Sequence, residues 1–444
     1  VARWTYEEAL VWLESHANLE AAVAMPAPPT LDRMRRLVAL MGDPQAAAPV
    51  VHLTGTNGKG STARMITALL GERGLGVGTY TSPDLERVNE RLARSLRPIP
   101  DDELTDLLAA IGGLEELMGE RLTRFEVLTG AALRWFADVA VDAAVLEVGM
   151  GGWWDATNVV DGQVAVVTNV SLDHAEVLGP TLVEIAREKA GIVKPASTLV
   201  LGATEEALAA EFLARPAGAV WQRNRDFAVT DNRPAHGGRL VSVRTPGGVY
   251  EDVYLPFHGA HQGDNAAVAV AAVEAFFDAP LDDEVVRQAF GALTLPGRME
   301  VVGRQPLVVL DGAHNPAGAH AAAATMAGAF GTEGALILVV GMLQGREPVE
   351  MLDALGGRRA RLVVACPAPS PRSLPPADVA VAAGSLGVTA RAAVSVRDAV
   401  ALALDVAGED DVVLVTGSLY VVGAARAALR DLRPGAVEDV PPRR

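Results

Sequence analysis

The sequence predicts an α/β protein with two domains. The first would have a doubly wound, mainly parallel sheet and a small antiparallel hairpin region, and the second would be a smaller α/β domain. Short apolar runs alternate with helical segments from residue 50 onward, a stretch rich in Val, Thr and Tyr interrupts them at 227–255, and a fresh alternation begins after residue 295. Since 444 residues exceed one typical core, we expect domains at 1–295 and 296–444.

The elements of the first domain follow from apolar spacing and turn residues. Two N-terminal helices are expected at Tyr6–Leu19 and Leu31–Met41, separated by the Pro-rich segment Pro26–Thr30. The elements expected next are a strand at Val50–Leu53, a helix at Thr62–Arg73, strands at Ala143–Val148 and Val164–Thr168, a helix at Leu182–Ala190, a strand at Thr198–Leu201, hairpins at Phe227–Leu255 and a helix at Asn265–Phe277.

The second domain shows four apolar runs of parallel-strand type. They lie at Leu307–Leu310, Leu336–Val340, Leu362–Ala365 and Val412–Val415. A site between two α/β domains, built from the carboxyl ends of strands, is the arrangement expected of such a pair.

Composition excludes several functional classes. The net charge is −17, from 38 basic and 55 acidic residues, which argues against nucleic acid as a partner but leaves room for a local basic pocket. No uncharged run approaches the roughly 20 residues of a membrane helix, and the N-terminal residues lack the basic-then-apolar order of a signal peptide. We therefore expect a cytoplasmic protein without a membrane partner. The single cysteine, Cys366, excludes an internal disulfide and favours a packing role.

A glycine-rich turn is the most informative stretch of the chain. It reads TGTNGKGS at Thr54–Ser61 and stands between an apolar strand and a helix with one apolar face. Backbone N–H groups, the helix N-terminus and Lys59 together favour a phosphate. Two residues separate Gly55 from Gly58 where the common motif has four, so this is a variant phosphate loop. A simple strand-to-helix connection is the alternative.

Polar residues follow the next strands and the helix after them. Glu147 ends an apolar strand, where a Mg²⁺ ligand would lie, although a solvated strand end has the same pattern. His174 is compatible with a metal ligand, a hydrogen-bonding site residue or a structural histidine. Lys189 lies in the last turn of a helix, where lysine commonly interacts with the helix dipole. The residue pattern alone leaves these roles open.

The second domain has two similar strand ends. DGAHNP (Asp311–Pro316) and TGSLY (Thr416–Tyr420) each follow an apolar run. Because ligands of open α/β sheets bind beyond the carboxyl ends of the strands, these polar groups predict a site there.

Together these stretches resemble the folylpolyglutamate synthase/dihydrofolate synthase family, within the superfamily of Mur-type ATP-dependent amide ligases. The likeness extends from about Tyr6 to Tyr420. Besides the three motifs above, it is carried by TSP (Thr81–Pro83), NER (Asn89–Arg91), FEVLT (Phe125–Thr129), LEVGMGG (Leu146–Gly152), DATNVV (Asp155–Val160), SLDH (Ser171–His174), EKAGIVK (Glu188–Lys194), HQGDNAAVA (His261–Ala269) and PGRME (Pro296–Glu300). So many motifs in family order make the resemblance specific.

The resemblance implies an activity and an architecture. The activity is ATP-dependent addition of L-glutamate to a pterin-containing carboxylate through an acyl phosphate. The architecture is an N-terminal P-loop ATPase domain and a smaller, Rossmann-like C-terminal domain with the glutamate-ligase site. The implied cofactors are ATP and two Mg²⁺ ions, with room for a monovalent cation. The implied partners are small-molecule substrates (folate or dihydropteroate, L-glutamate and ATP), and we expect a monomer.

The resemblance also implies roles for particular residues. Those that would bind ATP are Thr56, Asn57, Gly58, Lys59, Gly60, Ser61, Asn265, Arg298, Asp311 and His314. Ser82 and Glu147 would bind one Mg²⁺, whereas His174 and a carbamylated Lys189 would hold the second. Ser418 and Tyr420 would contact the incoming glutamate. The implied catalytic residues are Lys59, Glu147, His174 and Lys189.

Three positions depart from the family pattern. Trp153 stands where Arg is usual after Gly-Gly, and either changes a contact in the site or reflects tolerance there. Gly345-Arg346-Glu347 replaces the usual Asp-Lys-Asp, which keeps a base beside an acid but changes its reach. Asp84 follows TSP where His is frequent.

The sequence leaves several functions open. Within the family, the enzyme could make dihydrofolate, extend the glutamyl tail of folates, or do both. Outside it, the alternatives are a Mur-type ligase with another carboxylate acceptor and a nucleotide-binding regulatory protein that has lost catalysis. The retained Lys59, Glu147, His174 and Lys189 argue against the regulatory protein, and the loop spacing argues against a GTPase or motor.

Overall fold

The computed structural model describes residues 4–18, 30–331 and 334–432. This part of the chain contains fifteen α helices and seventeen strands, and the strands form three sheets. Of the predicted N-terminal segments, Leu19 and Pro26–Pro29 lie outside the described residues. We call the described residues up to 295 the N-terminal unit and residues 296–432 the C-terminal unit.

The N-terminal unit is centred on an eight-stranded sheet. Its strands are β1 (Val50–Thr54), β2 (Val77–Tyr80), β3 (Leu92–Arg94), β4 (Arg97–Pro98), β5 (Ala143–Glu147), β6 (Val164–Asn169), β7 (Thr198–Ala203) and β8 (Ala219–Gln222). The strand order is β4-β3-β2-β5-β1-β6-β7-β8, and the strands from β2 to β8 along this order are parallel, whereas β3 and β4 form an antiparallel edge. The chain winds outward from β1 in both directions, which confirms the doubly wound prediction.

Helices cover both faces of this sheet. The helices of the unit are α1 (Tyr6–Glu14), α2 (Asp32–Leu40), α3 (Lys59–Glu72), α4 (Asp101–Met118), α5 (Arg124–Asp138), α6 (Ala175–Leu178), α7 (Leu182–Lys189), α8 (Glu206–Leu213), α9 (His261–Phe277) and α10 (Asp283–Gly291). Val51 and Leu53 of β1 pack with α3, α9 and α10 on one face. On the other face, α1, α2, α4 and α5 bury Tyr80 and Leu146. Because successive strand residues point to opposite faces, both core layers meet at β1.

A three-stranded antiparallel sheet completes the N-terminal unit. It consists of β9 (Ala228–Ala235), β10 (Gly238–Arg244) and β11 (Val249–Leu255), in the order β11-β10-β9. Its apolar face packs on α9, which is buried along most of its length. The predicted hairpin region is therefore confirmed.

The C-terminal unit is a second α/β layer structure. Its strands are β12 (Glu300–Arg304), β13 (Leu307–Leu310), β14 (Leu336–Val340), β15 (Ala360–Ala365), β16 (Ala390–Ala392) and β17 (Val412–Thr416), in the order β12-β13-β17-β14-β15-β16. All pairs except β12–β13 are parallel. The helices are α11 (Pro316–Ala329), α12 (Pro348–Ala354), α13 (Pro376–Ser385), α14 (Val396–Val406) and α15 (Leu419–Leu432). No helix in the described ranges is long and apolar enough to cross a membrane.

Two helix starts differ from the prediction in ways that matter for the site. Helix α3 begins at Lys59 rather than Thr62. Gly58 adopts a left-handed conformation (φ +82°), which ends the glycine-rich turn immediately before Lys59. The long helix α9 begins at His261, so Asn265 lies in its second turn.

Candidate active site

A cleft opens between the two units at the carboxyl ends of their strands. Its empty volume, mouth included, is about 1210 Å³. The loops after β1, β2, β5 and β6 line one side, and residues that follow β14, β15 and β17 line the other. The strand order of the first sheet reverses around β1, the point where open α/β sheets bind ligands.

The phosphate loop is held tightly from below by the end of β6. The N–H of Asn57 donates to Asn169 Oδ1 at 2.9 Å. Its carbonyl oxygen accepts from Thr168 Oγ1 at 2.7 Å and from Asn169 Nδ2 at 2.8 Å. A Cβ at Gly58 would lie 2.5 Å from Asn265 Oδ1, so that position needs glycine for both space and its positive φ. The loop is therefore preformed as a cradle.

Two lysines converge on one carbonyl oxygen of this loop. Lys59 Nζ donates to Gly55 O at 3.2 Å and to Thr56 O at 3.4 Å, and Lys189 Nζ donates to Gly55 O at 2.9 Å. The chain has three lysines among its 38 basic residues. Arginine therefore serves at nearly every other cationic position, and two of the three lysine side chains face this cleft.

Lys189 is placed to lose its proton. Its side chain is buried, and burial, together with the charge of Lys59, lowers its pKa to about 7. A substantial fraction of the amine is then neutral at physiological pH. The neutral amine is the nucleophilic form, and arginine could not supply it.

Glu147 and Ser82 form an oxygen-rich corner beside the lysines. Glu147 ends β5 and is 3% exposed, and the N–H of Ser82 donates to its Oε2 at 3.2 Å. Burial raises the pKa of Glu147 to about 7, although Lys59 and Arg298 act in the opposite direction. A carboxylate whose charge is incompletely compensated, next to a hydroxyl, fits the oxygen preference of Mg²⁺.

His174 faces the other side of the loop. Burial lowers its pKa to about 4, so the imidazole is neutral, which is the form that binds metal ions. Within the described ranges, no three His, Cys, Asp or Glu side chains gather as a metal site. A divalent cation would need hydroxyl, phosphate or water oxygens to complete its coordination, as Mg²⁺ usually does.

Asp155 organises the glycine-rich turn after β5 and was not predicted as a site residue. Its carboxylate accepts from the N–H of Met150 at 3.0 Å and from the N–H and hydroxyl of Thr157 at 3.0 and 2.5 Å. These bonds fix the turn that carries Gly149–Gly151 along the wall of the cleft.

Asp173 is a second unpredicted residue, and it joins the two units. Its carboxylate lies 2.5 Å from Arg346 Nη2, 3.0 Å from Asn315 Nδ2 and 3.5 Å from His314 Nε2. Asn315 Nδ2 also donates to Asn57 Oδ1 at 3.0 Å, so the C-terminal unit touches the phosphate loop itself. Burial alone would raise the pKa of Asp173, but the hydrogen bond from His314 and the charges of His174, His314 and Arg346 hold it well below its usual value.

The structure brings most of the predicted site residues together. Those that line the cleft are Thr56, Asn57, Gly58, Lys59, Gly60, Ser82, Glu147, His174, Lys189, Arg298, His314, Ser418 and Tyr420. Three do not line it. Ser61 is buried in α3, Asn265 touches the loop from behind at Gly58, and Asp311 accepts the N–H groups of Met299 and Ala313 at 2.9 Å. Arg372 lines the cleft although no sequence signal pointed to it.

Trp153 lies outside the cleft lining. Its side chain is 56% exposed, and the Arg215 guanidinium stacks 4.8 Å from the centre of its ring. The family's usual arginine would therefore stand on the outer surface at this position, beside another cation.

We expect Trp153→Arg to leave steady-state kinetics within about twofold of wild type for each acceptor, because the side chain lies outside the cleft lining and an exposed substitution changes stability by only about 0.5 kcal/mol. Kinetic constants for two acceptors, measured side by side with Arg215→Ala as the matched surface variant, check this. A change in KM confined to one acceptor would mean that Trp153 reaches the substrate.

Two family descriptions match this chain. Residues 53–273 match the Mur ligase middle domain, and residues 297–419 match the Mur ligase glutamate ligase domain. Together with the two α/β units and the cleft between them, these matches define a Mur ligase.

Individual relatives narrow the class. The dihydrofolate synthase/folylpolyglutamate synthase of Mycobacterium tuberculosis is 40% identical over 438 residues, which cover 90% of this chain and 89% of the relative. The structure of Mycobacterium tuberculosis folylpolyglutamate synthase complexed with ADP and AMPPCP superposes with a TM-score of 0.87 at 36% identity, over 98% of both chains. An FPGS–AMPPCP–folate complex gives 0.83 at 31% identity, over 96% of this chain and 100% of the other. The chain belongs to the folylpolyglutamate synthase/dihydrofolate synthase family.

Membership confirms the family predicted from the motifs and the class of enzyme, an ATP-dependent acid–amino-acid ligase. It does not favour a regulatory protein without catalysis, because nearly the whole chain matches named ligases.

Proposed function

We propose that this ligase adds L-glutamate to folates and to dihydropteroate, at the cost of ATP, through an acyl phosphate. One observation carries the proposal. In a protein of net charge −17, the cleft between the units gathers Lys59, Lys189, Arg298, Arg346 and Arg372 around a phosphate loop. Such a cleft can bind a nucleoside triphosphate and carboxylate substrates together, because both are anionic. The relatives above carry the names of both activities, and their structures contain ADP, AMPPCP and folate.

The chemistry follows from what these residues can do. A carboxylate is a poor electrophile until phosphoryl transfer from ATP gives it a good leaving group. The N–H groups of the loop and the ammonium of Lys59 would hold the phosphates and offset charge on the transferring group. The neutral amine of L-glutamate then attacks the acyl phosphate carbon, and the intermediate collapses to an amide and phosphate.

The opposite wall would position the amino acid. Ser418 is 2% exposed at the end of β17, and Tyr420 lines the cleft in the first turn of α15. Glutamate would lie between these side chains and the acyl phosphate. Contact between the units around Asp173 would exclude water from the labile intermediate.

The residues also fit two Mg²⁺ ions, which when bound would neutralise phosphate charge. Ser82 and Glu147 would hold one ion, and His174 with Lys189 would hold the other. Lys189 could act as a ligand only after its neutral amine adds to CO₂, which forms an N–C bond and releases a proton to give a carbamate. Its lowered pKa supports this reaction. The monovalent cation implied by the resemblance stays a prediction.

We further propose a domain boundary at residues 295–296, supported by the start of the second sheet at Glu300 and by the separate matches at 53–273 and 297–419. A monomeric state and a cytoplasmic location stay predictions.

An acceptor panel tests the function. Purified protein with ATP, Mg²⁺ and L-glutamate is given dihydropteroate, tetrahydrofolate or a UDP-linked muramyl acceptor, and phosphate release and product mass are measured. Glutamylated products are expected from the first two. If only one pterin acceptor is used, the enzyme has a single activity. Turnover of the muramyl acceptor alone would overturn the proposal.

A further inference from the structure

The segment 82–91 joins the oxygen-rich corner formed by Ser82 and Glu147 to the C-terminal unit. It follows β2 and begins at Ser82, whose N–H donates to Glu147. Three residues later, the Leu85 side chain packs into the core of the C-terminal unit. A Cβ at Gly423 of α15 would overlap Leu85 O, so glycine at this position lets the backbone of the segment pack directly against the helix. The segment thus belongs to the N-terminal unit, whose core includes Val88, and packs against the C-terminal unit at Leu85.

An ion-pair cluster fixes the middle of this segment to α15. Glu86 Oε1 accepts from Arg426 Nε at 2.6 Å, and its two oxygens accept from Arg430 Nη1 and Nη2 at 2.6 and 2.8 Å. Both arginines lie on α15, whose first residues, Leu419 and Tyr420, line the cleft. Glu86 therefore connects the N-terminal unit to the helix that carries part of the opposite wall.

The cluster is charge-balanced, with a buried Arg426 at its centre and three half-buried partners around it. Arg426 is 4% exposed and also pairs with Glu300 at the start of β12. Two carboxylates thus face two guanidinium groups, and Glu86 is the member that the N-terminal unit contributes. Neutralising Glu86 removes one of the two carboxylates on Arg426 and the acceptor of two Arg430 hydrogen bonds, which leaves a partly buried cluster with excess positive charge and is unfavourable.

The segment between Ser82 and this cluster is braced from within. Glu90 accepts the N–H groups of Leu85, Glu86 and Arg87 at 2.8, 3.2 and 3.1 Å. Arg91 Nε donates to Asp84 Oδ1 at 2.6 Å. Asp84, at a position where relatives frequently have histidine, is therefore part of the brace. A stiff segment passes a shift of α15 on to Ser82 instead of absorbing it.

We propose that Glu86 is a positioning residue for the ligase reaction, which through Arg426 and Arg430 holds Ser82 beside Glu147 when the C-terminal unit is docked. The inference rests on the proposed function, because it assigns Ser82 to a metal-binding corner. When α15 packs against the N-terminal unit, Ser82 is therefore brought beside Glu147. The Glu86 carboxylate links the two movements and touches neither substrate nor metal.

Glu86→Gln keeps the shape of the side chain and removes its charge. We expect kcat/KM for MgATP to fall about 10- to 100-fold, since small displacements of positioned groups have effects of this size. The Mg²⁺ concentration for half-maximal activity should rise. In protein free of nucleotide and metal, amide hydrogen exchange at 82–91 should quicken. The matched control is Asp431→Asn, which breaks an exposed ion pair between α14 and α15 that does not cross the unit boundary.

A Glu86→Gln variant that matches Asp431→Asn in exchange and in Mg²⁺ requirement would overturn the inference. If Glu86→Gln fails to fold, Arg430→Gln removes the two hydrogen bonds that Glu86 accepts from Arg430 and keeps the one from Arg426. The same changes, smaller in size, are then expected, and no change would overturn the inference. If the wild type turns over no acceptor, the proposed function fails, but the exchange comparison still decides whether Glu86 holds the segment.

Discussion

Replacing Lys189 with arginine should lower kcat by about 10³-fold, the scale seen when a preorganised charge-stabilising group or metal ligand is lost. Arginine keeps a positive charge at this position, and arginine is the cation this chain uses almost everywhere else. It cannot form a carbamate, however, and its guanidinium stays charged at every accessible pH. A large loss in this conservative variant would show that the chemistry of the lysine amine, and not its charge, is required. Steady-state turnover with saturating substrates measures it.

Lys194→Arg is the matched control, because Lys194 is a half-buried lysine outside the cleft lining. It should retain wild-type turnover. In Lys189→Ala, added acetate or formate should restore part of the activity by supplying the missing carboxylate. Since the chain has three lysines, ¹³C NMR with labelled bicarbonate should show a carbamate resonance that disappears in Lys189→Arg. Near-normal turnover of Lys189→Arg would refute the carbamate proposal.

Replacing Asp173 with asparagine should lower kcat/KM for ATP about 100-fold, because the charge that joins the units at the phosphate loop is lost. Arg346, with a side chain 16% exposed, would keep its charge without its 2.5 Å partner. Asparagine can still accept from Asn315, so the variant tests charge more than shape. Removing one partner of a buried pair also costs roughly 3 kcal/mol of stability. Nucleotide-binding calorimetry and urea denaturation measure the two effects.

The pH dependence of this stability difference has a definite sign. The pKa of Asp173 lies well below the ordinary value of 3.8 in the folded protein. Its contribution is therefore fully present above pH 3.8 and is lost only as the pH falls through the lower folded value. Wild type and Asp173→Asn should differ by a constant amount between pH 5 and pH 8. Asp353→Asn, which breaks an exposed ion pair between α12 and the turn that follows it, is the control and should be neutral. An equally neutral Asp173→Asn would show that the units dock without this contact.

Most of the buried strands could be predicted from the sequence because they are uniform apolar runs, whereas β2, which contains a glycine and a threonine, was not predicted. Two of them, Leu307–Leu310 and Leu336–Val340, have the predicted bounds. The helix α4 was not predicted, and its paired Gly112-Gly113 explains why, since glycines usually interrupt helices. A Cβ at Gly112 would lie 3.1 Å from the Trp4 ring, so this glycine serves packing by residues far away in the chain.

The site residues likewise divide into those that a local sequence pattern indicates and those that it does not. Lys59, Glu147 and His174 follow strands, and strand ends can be recognised locally. The contacts of Asp173 with Arg346 and of Glu86 with Arg426 depend on how the two units are placed, which no local pattern encodes. Family motifs contain Asp173 and Asn315, but a motif does not reveal which partner each side chain meets. The sequence therefore predicted which loops line the cleft, and it did not predict the ion pairs that connect the two units.

Because the chain has only three lysines, few side-chain amines of this protein are open to chemical modification. Aldehydes, activated esters and cyanate attack neutral side-chain amines, and here two of the three such amines face the cleft. Among the lysines, an amine-directed label would therefore reach the half-buried Lys59 in the cleft and the half-buried Lys194 outside it, whereas Lys189 is only 4% exposed. For the same reason, attachment to a support or to a dye is better directed at a cysteine introduced on the surface, because the native Cys366 is buried.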